Sequence, residues 1–284
     1  MKFKSIKCLF IFTLFLSCKE KQFNKTNNLE SLNIMSFNLR YDNPNDNENS
    51  WQERELDVVS FLKYYHPDIL GIQEGLHNQV EFILQNSANY NYIGVGRDDG
   101  KQKGEYSAIY FDTTKLELIS NKTFWLSETP NKISVGWDAS MERICTYGVF
   151  KHKKTKKVIH VFNTHFDHIG IEARKNSAQL IIDKIIELKI ETSKLIVMGD
   201  LNSEPESEAI KILEKGLTTT TTSKFYGPTG TFNGFEIDKT LDKRIDYIFT
   251  KNLAIINYRH IDDRRQNNLW ISDHLPILAK VDIK

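Results

Sequence analysis

Four short apolar runs of this chain each end abruptly in a polar residue that can bind a metal ion or a phosphate group, and this feature constrains the fold most. The runs cover residues 34–37, 69–73, 158–162 and 195–199, and the side chains that follow them are Asn38, Glu74, Asn163 with His165, and Asp200. Short apolar runs of this kind predict buried β-strands. Strand ends cluster at one rim of a sheet, where loops form clefts. The sequence therefore predicts a sheet-built domain with a polar site at one rim.

Strand-like and helical patterns alternate along the rest of the chain. Strands are predicted over residues 32–39, 68–73, 107–111, 146–150, 158–163, 195–199, 245–250, 254–258 and 276–281. Apolar residues at helical spacing predict a helix over 172–189, and weaker patterns favour helices over 52–65, 77–85 and 207–213. Residues 32–284 contain no internal repeat and no long linker, so we expect them to form one α/β domain.

The first residues have the layout of a secretory signal peptide. Lys2, Lys4 and Lys7 precede an apolar run over residues 9–16, which is too short to span a bilayer, and Ser17 stands directly before Cys18. We expect cleavage after residue 17, lipid attachment to Cys18 and a polar tether over residues 18–31. An ordinary signal peptide with an incidental cysteine is the alternative. Either way the sequence predicts export, and the first interpretation predicts anchoring of the protein to a membrane of the cell envelope by its lipid.

Charge and cysteine content exclude several classes of protein. Removal of residues 1–17 takes away three of the 38 basic residues and none of the 37 acidic ones, which leaves a net charge of −2. A protein that clamps long nucleic acid usually carries a basic surplus, so that class is disfavoured. Cys145 would be the one remaining free cysteine, so we expect neither a disulfide framework nor a cysteine metal site.

The acids and amides at the strand ends suit a hard divalent cation. Mg²⁺ prefers oxygen ligands and is usually bound by one or two carboxylates, with water and substrate phosphate completing the shell. Glu74 and Asn38 fit such sparse ligation. Either residue alone is more simply explained as a strand-end cap or a solvated charge, but their joint occurrence favours a metal site.

Asp200 and Asn202 are separated by one residue, so their side chains can project from the same side of an extended chain. The aspartate could accept a proton from water while the amide holds water or a phosphate oxygen. The alternative is an Asx turn that leads into the next loop.

Three histidines follow or precede predicted strands: His165, His168 and His274. Asp273 directly precedes His274, and Asp246 is a second aspartate available to it. One carboxylate could orient the imidazole while the other faces a metal ion or water, which would give a general base or a phosphate-binding imidazolium.

Other hydrolase signatures are absent from the sequence. It contains no Gly-x-Ser-x-Gly elbow, no Gly-x-x-x-x-Gly-Lys loop and no His-Glu-x-x-His pair. The dense basic run over residues 151–157 lacks interleaved aromatic residues, so we interpret it as a solvated hairpin turn rather than a nucleic-acid contact.

Taken in order, these motifs resemble the endonuclease/exonuclease/phosphatase superfamily over about residues 32–282. The matching segments are Ser36-Phe37-Asn38, Gly71-Ile72-Gln73-Glu74, Tyr106-Ser107-Ala108-Ile109-Tyr110, Asn163-Thr164-His165-Phe166, Gly199-Asp200-Leu201-Asn202, Thr231-Phe232, Arg244-Ile245-Asp246-Tyr247-Ile248 and Ser272-Asp273-His274-Leu275-Pro276. The resemblance implies a four-layer αββα sandwich, with two mixed sheets packed face to face and helices outside. It also implies a metal-dependent phosphoester hydrolase (EC 3.1), with Mg²⁺ or Mn²⁺ as its cofactor.

Carried over residue by residue, the resemblance makes Glu74 the principal metal ligand, with Asn38 beside it and Asp273 as a further ligand. It makes Asp200 the base for the attacking water and Asp246 the partner that orients His274. It assigns contacts with the scissile phosphate to Asn163, His165, Asn202 and Tyr106.

Substrate identity does not follow from the shared motifs, because this superfamily covers nucleases, inositol phosphatases, sphingomyelinases and deadenylases. Candidate substrate-reading elements are the loop over residues 41–51, the segment over residues 125–137 and Arg143; surface loops packed by aromatic residues are the alternative. We expect a compact phosphoester such as a small molecule or lipid head group, and no protein partner. An exported nuclease and a catalytically idle binding module of the same fold are the other hypotheses.

Overall fold

A computed structural model of the chain describes residues 30–219 and 225–284. The predicted signal peptide, Cys18 and nearly all of the predicted tether lie outside these ranges. Ser31, the last residue of the predicted tether, is instead the first residue of a strand and pairs with Asp282 near the end of the chain. Among the described residues, no helix combines the length and apolar character needed to cross a bilayer.

The first sheet has seven strands in the order β10-β12-β13-β1-β2-β4-β3. Its strands are β1 (Ser31–Asn38), β2 (Ile69–Gln73), β3 (Tyr90–Ile93), β4 (Ile109–Asp112), β10 (Phe225–Tyr226), β12 (Ala254–His260) and β13 (Ile277–Asp282). The central pair β1 and β2 is parallel, whereas β1 and β13 are antiparallel, so the sheet is mixed.

The second sheet has six strands in the order β5-β6-β7-β8-β11-β9. They are β5 (Leu116–Trp125), β6 (Ile144–His152), β7 (Val158–His165), β8 (Lys194–Asp200), β9 (Thr218–Thr219) and β11 (Asp246–Lys251). β7 and β8 are parallel and the other pairs are antiparallel. All nine predicted strands are present, and β3, β5, β9 and β10 were not predicted.

Four α-helices lie on the outer faces of the sheets. They are α1 (Trp51–Tyr65), α2 (His77–Gln85), α3 (Ile171–Glu187) and α4 (Glu208–Gly216), close to the four predicted ranges. Strand alternation explains the layers, because successive residues of a strand point to opposite faces. In β1, Ile34 packs between the two sheets while Met35 packs under α1 and α2.

Three apolar clusters fill the spaces between the four layers. The cluster between the sheets includes Ile34, Ile69, Phe111, Phe150, Val161, Ile196, Met198 and Ile248. A second cluster joins the outer face of β7, β8 and β11 to α3 and α4, and a third joins the outer face of β1 and β2 to α1 and α2. The predicted αββα sandwich with two mixed sheets is confirmed.

The basic run over residues 151–157 forms the hairpin that connects β6 to β7, as predicted. Lys154 pairs with Glu30 at 2.7 Å, and Lys153 Nζ donates to the carbonyl oxygen of Thr113 at 2.6 Å. β7 runs from this hairpin to His165, so eight residues at roughly 3.3 Å each separate the basic run from the predicted site.

Candidate active site

Strand register brings the predicted site residues to one rim of the sandwich. Asn38 pairs with Gln73 at the carboxyl ends of β1 and β2, and Glu74 follows directly. In the other sheet, His165 at the end of β7 pairs with Asp200 at the end of β8. Asp200 also pairs with Asp246 at the start of β11. The polar residues after the apolar runs therefore meet at one end of both sheets.

Glu74 leaves the strand in a left-handed conformation, with φ of 62°. A non-glycine residue in that region stores local strain, on the order of 1 kcal/mol. The turn lets Glu74 Oε2 accept a hydrogen bond from the backbone N–H of Tyr41 at 3.1 Å, while Oε1 accepts from Asn38 Nδ2 at 3.0 Å. The strained backbone thus aims the carboxylate into the cleft.

Asn38 bridges the two sheets through its amide. Its Nδ2 donates to Glu74 and to Asp200 Oδ2, both at 3.0 Å, and its Oδ1 accepts from the backbone N–H of Arg40 at 2.9 Å. Direct metal ligation by Asn38 would require the amide to turn, so that role stays a prediction.

Glu74 and Asp273 each contribute a carboxylate to the same cleft. Burial raises the pKa of Asp273; the charge of Glu74 adds to this shift, whereas His274 and Arg40 oppose it. Arg40 Nη1 lies 3.8 Å from Asp273 Oδ2, while its Nε and Nη2 bind Asp46 at 2.8 and 3.0 Å. Carboxylate oxygens match the preference of Mg²⁺ and Mn²⁺, so these residues fit the expected metal. One ligand atom each of Glu74, His165 and Asp200 also lie within 4.8 Å of one another, which is a second way to hold an ion.

Asp200 is buried at the end of β8, with His165 and His274 as neighbours. Its Oδ1 accepts from the backbone N–H of Asn202 at 2.9 Å, and its Oδ2 lies 3.5 Å from His165 Nε2 and 3.7 Å from His274 Nε2. Burial raises the pKa of Asp200 to about 7, with His274 opposing the shift and Asp246 adding to it. A carboxylate with a pKa near neutrality is suited to accept a proton from water.

His274 carries the positive charge of the site. Its Nδ1 lies 2.9 Å from Asp246 Oδ2, and Phe232 packs edge-on against the imidazole ring with 5.0 Å between centroids. Burial by itself would lower the pKa of His274, but the carboxylates of Asp246 and Asp200 outweigh it and raise that pKa well above its ordinary value. The backbone N–H of Asp246 donates to Thr231 Oγ1 at 3.1 Å, which holds the main chain at Asp246.

His165 differs from His274 in its charge. Burial, together with the positive charges of Arg143 and Arg97, lowers the pKa of His165 well below its ordinary value. Asn202 Nδ2 lies 3.1 Å from His165 Nε2, which makes that nitrogen the acceptor and leaves the proton on Nδ1. The imidazolium expected from sequence therefore fits His274 and does not fit His165 in this structure.

Asn163 does not face the cleft, contrary to the expected contact with phosphate. It is fully buried between the sheets, where Nδ2 donates to the carbonyl oxygens of Ile72 and Ala108 at 2.8 and 2.9 Å. Its Oδ1 accepts from Gln73 Nε2 at 2.7 Å. A Cβ atom on Gly71 would lie 2.6 Å from that Oδ1, so glycine is needed where this side chain crosses between the sheets. Asn163 is a structural bridge rather than a phosphate ligand.

Tyr106 is also turned away from the expected phosphate position. Its hydroxyl donates to the carbonyl oxygen of Lys101 at 2.8 Å and lies 3.2 Å from His77 Nδ1, on which its ring stacks. The residue is 2% exposed and does not line the main cleft. The strand predicted over residues 107–111 is present as β4, but Tyr106, which precedes it, does not direct its hydroxyl into the cleft.

The rim opens into a cleft of about 460 Å³, within the usual range of small-molecule sites. Its lining residues are Arg40, Tyr41, Glu74, Arg97, Glu105, Met141, Arg143, His165, His168, Asp200, Asn202, Phe232, Lys243, Ile245, Asp273 and His274. Sequence reasoning singled out Arg143 and Tyr41 of these for substrate reading, and the structure brings both to the cleft. Trp51 is instead buried at the start of α1, and no residue of the 125–137 segment lines the cleft.

Arg97 and Glu105 are cleft residues that sequence reasoning missed. The Arg97 guanidinium binds the Glu105 carboxylate through both terminal nitrogens, at 2.8 and 2.9 Å. Trp125, which the sequence analysis named for substrate reading, does not line the cleft. Its Nε1 donates to the carbonyl oxygen of Arg97 at 2.8 Å and so holds the backbone of a cleft residue. The sequence feature that could have indicated Glu105 is its position directly before the segment 106–110, which resembles a motif of the superfamily.

Comparison with known proteins shows which family this fold and sequence resemble. A model of the Endonuclease/Exonuclease/phosphatase family matches residues 35–274. An endonuclease/exonuclease/phosphatase structure from Bacteroides vulgatus is 38% identical, with a TM-score of 0.85 over 89% of this chain and 99% of that chain. The mannosyl-6-phosphatase of Bacteroides thetaiotaomicron is 36% identical, with a TM-score of 0.83 over 88% of this chain and 98% of that chain. A probable RNA exonuclease of Saccharomyces cerevisiae is 28% identical over 55% of this chain and 33% of its own length.

Proposed function

The chain belongs to the endonuclease/exonuclease/phosphatase family, and we propose that it is a Mg²⁺-dependent hydrolase of a compact phosphoester. The observation that carries the proposal is the position of Asp200. Its buried carboxylate lies between a neutral and a charged histidine, beside the Glu74–Asp273 pair. A proton acceptor, a cation and a carboxylate pair at one rim are what attack of water on a phosphoester requires.

Glu74 and Asp273 are the residues that would hold Mg²⁺ or Mn²⁺, with Asn38 or water completing the contacts. When bound, the ion would neutralise negative charge on the phosphoryl oxygens. The repulsion between the two carboxylates would fall at the same time.

Asp200 would accept a proton from the attacking water while the water oxygen bonds to phosphorus and the bond from phosphorus to the leaving oxygen breaks. The leaving oxygen would take up a proton from solvent and depart as an alcohol. His274, held by Asp246, would donate a hydrogen bond from Nε2 to a phosphoryl oxygen. Asn202 is held beside His165 and presents its amide at the same rim. Preorganised donors of this type stabilise the charge that develops in the transition state.

A compact substrate is supported by the distribution of charge. The dense basic run lies at the opposite end of β7 from the cleft, so it is not available to bind the phosphates of a long nucleic acid in the site. The similarity to a mannosyl-6-phosphatase points the same way. The second candidate function is a nuclease, which the basic side chains of the cleft (Arg40, Arg97, Arg143 and Lys243) and the similarity to a probable RNA exonuclease favour.

A hydrolysis screen with added Mg²⁺ or Mn²⁺ tests these proposals. It compares sugar phosphates, phosphodiester lipids, inositol phosphates, DNA and RNA at two salt concentrations, with Asp200→Asn as the inactive control. Preference for a small phosphoester supports the main proposal, whereas preference for nucleic acid by orders of magnitude, with steep loss at high salt, supports the nuclease. Binding without turnover on every substrate would identify an idle binding module.

Export and lipid anchoring at the cell envelope remain part of the proposal. They rest on the lysines, the apolar run and Cys18 of the first 18 residues. An enzyme held there would meet phosphoesters outside the cytoplasm.

A further inference from the structure

A cluster of lysines lies at the end of the sandwich opposite the cleft. We call it the basic pole, and it consists of Lys153, Lys154, Lys156 and Lys157 of the β6–β7 hairpin together with Lys194 at the start of β8. Lys194 shares the surface of the hairpin, because burial and the charge of Lys157 together lower the pKa of its ammonium group. The cleft begins where β7 and β8 end, so none of these lysines takes part in the proposed hydrolysis.

Most of the positive charge of the basic pole is not neutralised by the protein. Glu30 pairs with Lys154 at 2.7 Å, and Asp282 is a second nearby carboxylate. Lys156 and Lys157 are exposed, and their ammonium groups form no ion pair with any residue of the described ranges 30–219 and 225–284. Five lysines therefore face two carboxylates, although the chain without residues 1–17 has a net charge of −2. The other faces of the domain must carry a surplus of negative charge.

The chain enters the domain at the basic pole. Glu30, where the described part of the chain begins, is the ion-pair partner of Lys154, so the segment that leads back to Cys18 joins the domain beside the basic hairpin. Glu30 is twelve residues from Cys18, a span of at most roughly 40 Å for an extended chain. Residues 19–29 add three lysines and one glutamate. A lipid at Cys18 would therefore keep the basic pole close to the surface of a bilayer.

The chemistry of the basic pole fits anionic lipid head groups better than nucleic acid. Clusters of about four to eight basic residues next to a membrane attachment point are typical of surfaces that bind anionic lipids. Residues 151–157 include no Phe, Tyr or Trp on which a base could stack. An anionic bilayer would also repel the other, more negative faces of the domain, so the charge distribution turns this end towards the membrane.

We propose that the basic pole is a docking surface for a bilayer that contains anionic lipids, with the ammonium groups of Lys156 and Lys157 contacting the head-group phosphates. Each lysine near such a surface raises the affinity about fivefold, and salt screens the attraction. The basic pole alone therefore binds weakly and reversibly, and the protein without a lipid at Cys18 would still leave the membrane during fractionation. A lipid at Cys18 makes the contact intramolecular and raises the effective concentration. This inference goes beyond the proposed hydrolysis and depends on neither its substrate nor its metal.

Sedimentation with sucrose-loaded vesicles tests the contact on Cys18→Ala protein, which has no thiol at that position to carry a lipid. Vesicles of phosphatidylcholine mixed with phosphatidylglycerol are compared with vesicles of phosphatidylcholine alone. At low salt we expect the protein to bind the mixed vesicles about tenfold or more tightly than the neutral ones, and to lose this binding at about 1 M salt. Replacing both exposed lysines, as Lys156→Gln with Lys157→Gln, should lower the partition coefficient on mixed vesicles by about 20- to 30-fold.

The matched control replaces Lys101 and Lys103 with Gln, which removes the same charge from two exposed lysines on the loop between the cleft residues Arg97 and Glu105. It should change the partition coefficient by less than about twofold, because these lysines lie more than a screening length from the basic pole. Thermal unfolding checks that each variant is folded.

Several outcomes would overturn the inference. Absence of binding to mixed vesicles at low salt, or equal binding to neutral vesicles, would show that the basic pole does not recognise anionic lipid. Equal losses in the two double variants would show that only net charge matters. Tighter binding of a DNA duplex than of the mixed vesicles, lost in the variant of the basic pole, would assign this surface to nucleic acid instead. Failure of the proposed hydrolysis looks different, because it would leave the vesicle measurements unchanged.

Discussion

His274 Nδ1 and Asp246 Oδ2 lie 2.9 Å apart in a buried ion pair at the rim where both sheets end. The pair keeps a positive charge beside Asp200, although burial alone would make the imidazole neutral. The arrangement of charged side chains at this rim leads to the predictions for Asp246, Asp200 and Glu74.

Replacing Asp246 with Asn should lower the pKa of His274, because the carboxylate that raises it is removed. His274 must be protonated to donate to phosphate, so the alkaline limb of the pH profile of kcat/KM should move to lower pH. We expect turnover at neutral pH to fall by about 10²-fold or more. Asp262→Asn, at an exposed aspartate near Arg259, is the matched control and should leave the profile in place. An unchanged alkaline limb in folded Asp246→Asn protein would remove this pair from the mechanism.

Asp200 should make the metal-free protein less stable as the pH rises. Its folded pKa, about 7, lies above the ordinary value of 3.8, so between these values the folded state binds the proton that the unfolded state has lost. The free energy of unfolding therefore falls as pH rises from about 4 to 7, by on the order of 1–3 kcal/mol. Urea unfolding in excess chelator measures this slope for wild-type protein and for Asp200→Asn. The variant should lose much of the slope and, if the same residue is the base, about 10²-fold or more of its turnover.

Glu74→Gln should weaken metal binding more than substrate binding. The amide keeps the size of the side chain but removes the negative charge that complements Asp273 in attracting a cation. We expect chelation to abolish activity, Mg²⁺ or Mn²⁺ to restore it, and the variant to need about tenfold more metal or higher for half-maximal activity. Calorimetric titration with Mg²⁺ gives the same comparison without substrate. Glu214→Gln, at an exposed glutamate on α4, is the control. Full wild-type activity after metal removal, verified by elemental analysis, would exclude the metal mechanism.

Asn163→Ala should destabilise the fold without a specific effect on chemistry. The substitution removes the hydrogen bonds of Asn163 to the carbonyl oxygens of Ile72 and Ala108 and to the Gln73 amide. Ala108 keeps its bond from the Ile72 N–H, and Gln73 keeps its bond to Ser36 Oγ. We expect the free energy of unfolding to drop by about 3 kcal/mol, measured by urea denaturation. The control Asn257→Ala, at an exposed position on β12, should stay within about 0.5 kcal/mol of wild type. A stable Asn163→Ala protein with a 10²-fold loss of turnover would restore the phosphate-binding role that the geometry argues against.

Cys18→Ala should release the protein from membranes if Cys18 carries the lipid. Labelling of cells with a radioactive fatty acid should mark the wild-type protein and not the variant, and fractionation should move the variant to the soluble exported fraction. A labelled Cys18→Ala protein, or an unlabelled wild type, would contradict the lipoprotein interpretation. Retention of both proteins inside the cell would contradict export itself.

The elements that sequence predicted well are those with a buried apolar pattern on both sides. β1, β2, β7 and β8 lie inside their sheets and between layers of helix and sheet, so most of their residues are buried and apolar and the runs end sharply. β3 and β5 were missed because they form sheet edges. The middle of β5 is exposed over Ser120, Asn121 and Lys122, which erases the apolar signal.

The sequence predicted which residues come together at the site, but it did not predict the orientation of each side chain. Asp246 and His274 lie 28 residues apart and meet beside the segment 231–232, where Thr231 accepts from the backbone N–H of Asp246 and Phe232 forms a β-bridge with His274. The neutral state of His165 depends on burial beside Arg143 and Arg97, which pattern alone does not reveal. Asn163 follows an apolar run just as Asp200 does, and only the close approach of Gly71 shows that its side chain crosses to the other sheet.

The direction of β1 sets which way the cleft opens relative to the start of the domain. Ser31 begins the strand at the end of the sandwich where Glu30 pairs with Lys154 of the basic hairpin, and Asn38 ends it at the rim, about eight residues or roughly 25 Å away. If the chain is held at Cys18, the tether would join the domain at the end that carries the basic hairpin, opposite the cleft. The point of attachment would then leave the entrance of the cleft unobstructed, and a soluble phosphoester could enter it.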